Sequence, residues 1–240
     1  RFMGILAFKS GNHDIAEAML TKALRLDPTY SLVWANLAQV YSVTGQLDKA
    51  KKSFKNILNM EPRNGLIWAE YGTVLTKLAN YKESKDAYLK ALDFKSDSPR
   101  VHLSLGHVYK TMGEIENSID SYKNTIIQNK LSGEAYWSLA NLKTYSFSEN
   151  EIKVMEETLK ADMSDIERSQ MHFALGKAYE VKKDFDNSFN NYFKGNEVKK
   201  GLTKYSSDDT TDNTKRILDF FNLENIQDFS KSLTVNQDPI

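Results

Sequence analysis

Residues 32–62, "LVWANLAQVYSVTGQLDKAKKSFKNILNMEP", place large and small apolar residues at fixed offsets. Trp34, Leu37, Ala38 and Tyr41 share one face of a helix. Gly45 interrupts that helix, and Ala50 and Phe54 lie one turn apart on a second helix that stops before Pro62. The spacing then recurs. Gly4, Ala38, Gly72, Gly106 and Ala140 stand 34 residues apart. Ala16, Ala50, Ser84 and Ser118 keep the same step on the second helix, and Leu20, Phe54, Tyr88 and Tyr122 keep it one turn later. Gly11, Gly45 and Gly113 mark the turn between helices, with Ala79 in the remaining slot. Small residues let two antiparallel helices approach closely. The large residues at the Trp34 and Phe54 positions are expected to fill the space between neighbouring pairs. Glycine at the turn supplies the left-handed conformation that ends a helix. One such pair cannot bury its apolar face alone, so pairs must stack.

These offsets resemble the tetratricopeptide pattern W-x2-L-G-x2-Y…A-x3-F…P, with Ala38 in the glycine slot. The resemblance implies an all-α fold, a right-handed superhelix of about six helix pairs. The expected repeats are a partial one at about 1–30, then 31–64, 65–98, 99–132, a degenerate one at 133–168, and 169–202. The fifth begins with Tyr136, Trp137, Leu139 and Ala140 but carries no turn glycine and no Ala-x3-Phe. Gly176 follows Ala140 by 36 residues, so this repeat holds an insertion. Ser148 and Glu151 have the spacing of a capping box. The sixth recovers with Leu175, Gly176, Tyr179, Ser188 and Tyr192. Residues 203–240 read as a polar linker followed by a C-terminal helical segment, capped by Asp209 or a nearby threonine. That helix is unusually apolar, with Ile217, Leu218, Phe220, Phe221 and Phe229. It is expected to expose that surface or to cover it with a neighbouring copy or a following domain.

Composition narrows the function. The chain has 240 residues, 40% hydrophobic and 27% charged, with 32 basic and 32 acidic residues. A nucleic-acid binder would show a basic excess or stripe, so no nucleic-acid partner is expected. No apolar run reaches the length of a membrane span. There is no cysteine, hence no disulfide and no thiolate metal site. None of the glycines forms a phosphate-binding loop motif. His102 and His107 are five apart, the wrong spacing for two ligands on one helix face, and His102 and His172 take the Trp34 register as packing residues. No catalytic, cofactor-binding or metal-binding residue is expected. Trp34 and Trp68 read as core anchors.

Binding is expected in the concave groove lined by the first helices. One register holds Gln39, Thr73, His107 and Asn141; another holds Asn36, Glu70, Ser104 and Ser138. Together they would form two neutral polar ladders able to bond the backbone of an extended protein or peptide. A solvated groove with no dedicated ligand is the other reading. The carboxylate clamp of chaperone-tail-binding members needs a first-helix lysine where this chain has Ala35 and Ala69, so that clamp is not expected.

The last third resembles a narrower family. "WSLANLKTY" (Trp137 to Tyr145) with Phe147, then Phe173 to Ala178, Asp184, Phe189, Tyr192, Gly195, Asn196 and Lys199 or Lys200, resemble the repeat domain of bacterial tetratricopeptide-repeat sulfotransferases. So does the final "DPI". Ser188 departs, where a small apolar residue is usual. The resemblance implies a cytoplasmic bacterial protein in which a missing C-terminal catalytic domain follows Ile240. That domain would use adenosine 3′-phosphate 5′-phosphosulfate (PAPS), held through backbone N–H groups at a helix N-terminus. None of that machinery lies within 1–240, so this chain is expected to be non-catalytic. A stand-alone adaptor, or repeats attached to a glycosyltransferase, are the alternatives.

Overall fold

A computed structural model describes residues 1–202 and 207–221. The described residues form thirteen helices and no strand. α1 (Phe2–Lys9) pairs with α2 (His13–Leu26), α3 (Ser31–Val43) with α4 (Leu47–Met60), α5 (Gly65–Lys77) with α6 (Tyr81–Asp93), and α7 (Pro99–Met112) with α8 (Ile115–Gln128). α9 (Gly133–Ala140), α10 (Glu149–Thr158), α11 (Asp165–Val181), α12 (Phe185–Leu202) and α13 (Ser207–Phe220) follow. Each second helix also packs on the next first helix, through α8 and α9.

The 34-residue registers have a direct steric meaning. A Cβ on Gly72, Gly106 or Gly176 would lie 2.9, 2.6 or 2.8 Å from the ring of Tyr88, Tyr122 or Tyr192. Each ring therefore lies on the glycine of its own pair, not only between neighbouring pairs as the sequence implied. Beside each ring a buried serine closes the contact. Ser84, Ser118 and Ser188 donate to the carbonyls of Gly72, Gly106 and Gly176 at 2.9, 2.9 and 2.8 Å. Ser188, which departs from the sulfotransferase-type pattern, thus repeats what Ser84 and Ser118 do. α4 shows the matching helical pattern, burying Ala50, Ser53, Phe54, Ile57 and Leu58. Trp34 and Trp68 are only partly buried at the margin of this core, each indole N–H donating to Pro28 or Pro62 at 2.8 Å.

The turns follow one design. Gly11, Gly45 and Gly113 have φ of 79°, 75° and 78°, and Ala79 and Lys183 adopt 58° and 62° at the equivalent position. A side chain there is strained by about 1–2 kcal/mol. Ala79→Gly is therefore expected to stabilise its helix pair by about 1 kcal/mol, read as slower amide hydrogen exchange in α5 and α6.

The fifth pair breaks the pattern. α9 ends at Ala140, and its main partner is α11, with α10 set aside. At the register where other pairs place a small residue and a ring, α10 offers Ile152 and Glu156. Gly133 abuts the backbone of Glu167 instead, and Trp137 packs on Phe173 with ring centroids 5.6 Å apart. α10 is anchored by Ile152 and Met155 in the cluster that holds Met171 and Leu175. The Ser148–Glu151 capping box opens it. Burial pushes the Glu151 carboxyl up, but hydrogen bonds from Tyr145 and Ser148 hold it below its ordinary value.

Residues 207–213 are helical, where the sequence implied a linker, and Asp208 and Asp209 lie in the first turn of α13, not at a cap. Carboxylates there face the positive end of the helix dipole. Phe220 and Phe221 are 57% and 62% exposed. Phe229 and the "DPI" ending lie outside the described residues. A second apolar row, Phe185, Phe189 and Phe193, is exposed along α12, with Phe189 stacked on Phe193.

Candidate functional site

The first helices adjoin along one side of the array. Arg100 of α7 pairs with Glu70 of α5, His107 of α7 bonds Glu134 of α9, and the backbone N–H of Gly133 donates to Glu167 of α11. The residues proposed for the groove sit on these helices, but few of them are unengaged. Asn36 and Asn141 donate to carbonyls of their own helices, Leu32 and Trp137, each at 2.8 Å. Their side-chain oxygens are left to accept. Gln39 and Asn141 are exposed, Ser104 is partly buried, and Ser138 is buried. Glu70 is held by Arg100.

Thr73 and His107 are tied to the second helices. Thr73 donates to Ala69 at 3.1 Å, so the Tyr88 hydroxyl, 3.1 Å away, donates to Thr73. The Tyr122 hydroxyl lies 2.8 Å from His107 Nδ1, and His107 Nε2 lies 3.2 Å from Glu134. The tautomer that satisfies both has Tyr122 donating to Nδ1 and Nε2–H donating to Glu134. The His107 bond holds the Glu134 carboxyl below the usual carboxylate range. In the sixth pair Tyr192 and Lys177 both donate to Glu180, at 2.8 and 2.9 Å. The tyrosine that covers the glycine therefore also sets the rotamer of the groove residue beside it.

This corrects the picture of two neutral ladders. The row carries charges, but they are engaged: Arg100 pairs with Glu70 and Lys177 with Glu180, while Glu134 accepts from His107. Sequence reasoning missed Tyr88, Tyr122, Arg100 and Glu134. The available signal was tyrosine in place of phenylalanine sixteen residues after each of Gly72, Gly106 and Gly176.

Tyr122–His107–Glu134 has the connectivity of a proton relay. Tyr122 is fully buried and its hydroxyl is harder to ionise than usual, first because of that burial. A buried hydroxyl that resists ionisation is suited to orienting its neighbour His107. The other histidines are engaged in packing. His102 bonds Asp97 at 2.8 Å, and His172 contacts Asn191 at 3.0 Å, its pKa lowered by burial. Among the described residues no three metal-ligating side chains converge. No helix of the described residues is long and apolar enough to cross a membrane.

Residues 7–69 match one tetratricopeptide-repeat family model, and residues 67–98 and 99–124 match a second. Curated proteins gave no match. Among solved structures, that of MamA is 20% identical, covering 85% of this chain and 98% of its own, with a TM-score of 0.56. The structure of YrrB, described as a TPR protein with an unusual peptide-binding site, is 18% identical, covering 75% of this chain and 91% of its own, with a TM-score of 0.58. The pilF structure from Pseudomonas aeruginosa is 20% identical over 78% of this chain and 85% of its own, with a TM-score of 0.60. At these identities the solved structures show the fold. Together with the Gly–Tyr–Ser registers and the family models over residues 7–124, they show that this chain carries tetratricopeptide repeats in an all-α superhelical solenoid fold.

Proposed function

We propose that this chain is a non-catalytic scaffold that binds an extended peptide along its first-helix side. The observation that carries the reading is the row of polar side chains on adjoining first helices, in which Thr73 and His107 are held from behind by the buried Tyr88 and Tyr122. Gln39, Asn141 and the pairs at Glu70–Arg100 and His107–Glu134 offer donors and acceptors at repeat-long intervals. Asn141 and the two pairs are held by hydrogen bonds, which lowers the ordering cost of binding. The unusual peptide-binding site of YrrB is that protein's property, and it supports the reading by analogy of fold. Peptides selected from a random display library should bind with micromolar affinity whether or not their C-terminus is amidated, because Ala35 and Ala69 stand where the clamp lysines would be. Selected peptides that lose affinity when their terminal carboxylate is blocked would overturn this.

The finer reading is that the array recruits the acceptor for a PAPS-dependent sulfotransferase domain after Ile240, in a bacterial cytoplasm. The resemblance over residues 133–202 supports it, as do the exposed rings on α12 and α13. The residues of this chain do not fit the sulfate donor. Among those described there is no strand leading to a phosphate-binding loop, and no step is derived through it. Two results separate this from a stand-alone adaptor. The codons after Ile240 should encode a Pro-Arg-Ser-Gly-like loop, where a stop codon would sink the reading. Calorimetry with this chain should detect no donor binding, and micromolar binding would contradict it.

A further inference from the structure

A cleft of about 450 Å³ opens between α2 and α4, over α3. Leu24, Trp34 and Tyr41 give it apolar walls, and Arg25, Lys49 and Lys52 line it with positive charge. Lys49 is engaged by Glu17 at 3.2 Å. Among the described residues neither Arg25 nor Lys52 has an ion-pair partner. The repeat itself does not require these two cations. One repeat later the same positions are Asn59 and Asp86, and one further they are Asp93 and Asp120. The wall is partly kept, with Trp68 in the register of Trp34, while the charge changes sign. Packing therefore tolerates either sign, and the positive one is particular to this cleft.

The volume falls within the range of specific ligand pockets, about 300–1,000 Å³. An apolar wall beside unpaired cations matches a hydrophobic side chain flanked by carboxylates. A nucleic-acid backbone would use the charge and leave the wall empty. We propose that the α2–α4 cleft is a second docking site, separate from the first-helix row, for an acidic protein segment with one large apolar anchor residue. The anchor lies against Trp34 and Tyr41, and its flanking carboxylates meet Arg25 and Lys52.

The test uses an acetylated, amidated probe peptide, Glu-Asp-Glu-Phe-Glu-Asp, titrated into the ¹⁵N-labelled chain. The Trp34 indole N–H signal should shift saturably while those of Trp68 and Trp137 stay in place. Arg25→Glu with Lys52→Glu should weaken binding at least about tenfold, and Lys110→Glu with Lys130→Glu should leave it unchanged. If the reversal impairs folding, Arg25→Gln with Lys52→Gln replaces it, with the same loss expected. Replacing the peptide's Phe by Ser should also cost about tenfold. No saturation at millimolar peptide, full affinity in the charge variants, or equal binding by the Ser peptide or an oligothymidine would overturn the proposal. None of these outcomes bears on the first-helix row, where the charge variants make no change.

Discussion

Gly133→Ala is expected to destabilise the fold by about 3 kcal/mol, the top of the usual range for overpacking. A Cβ at this position would lie 2.2 Å from the Glu167 carbonyl oxygen and 2.9 Å from its carbon, both backbone atoms of α11. A flexible side chain can step aside, but a helix backbone cannot. The methyl group would separate α9 from α11 at the one place where the array departs from its own pattern. It would also break the hydrogen bond from the Gly133 N–H to Glu167. Gly201→Ala is the control, because nothing lies within 4 Å of its Cβ. Repeat arrays unfold with limited cooperativity, so hydrogen exchange is the proper readout. Protection should fall in α9, α11 and α12 and persist in α3–α6. Unchanged protection in α9 would mean that the two helices do not approach this closely.

Tyr122→Ala is expected to cost about 3–5 kcal/mol, as for a large aromatic removed from a core. Tyr122 is fully buried, covers Gly106 and reaches His107. Tyr122→Phe separates the two roles. The ring stays on Gly106, and only the bond to His107 Nδ1 is lost, worth about 1 kcal/mol. The same variant should release the His107 ring while leaving the fold intact, which makes it the cleaner probe of binding. A Phe variant as damaged as the Ala variant would show that the hydroxyl, not the ring, supports the pair.

Periodicity carried the fold because the contact that holds each pair is periodic. Gly72, Gly106 and Gly176 each need a ring sixteen residues on and a small hydroxyl residue twelve residues on, and all three registers are visible as letters. The fifth pair was visible only as a loss of pattern. Where α10 lacks the small residue and the ring, the sequence does not say that α11 takes their place, since that contact is made by backbone at Gly133 and Glu167. The helical start of α13 was missed because aspartates and threonines favour turns as readily as first helical turns. The groove residues were found by register, but their orientation was not. Whether Thr73 or His107 faces a ligand or a tyrosine depends on the partner helix, which lies fifteen residues away in sequence and 2.8–3.1 Å away in space.

Binding of an extended peptide to the first-helix side of this solenoid is tested most directly by nuclear magnetic resonance. Backbone and side-chain amide shifts would be recorded while a library-selected peptide is titrated into the ¹⁵N-labelled chain. Saturable shifts are expected at Gln39, Thr73, His107 and Asn141, with a weaker affinity in Tyr122→Phe at unchanged stability outside the pair. Shifts confined to the second helices, with those four residues unmoved, would contradict the proposal.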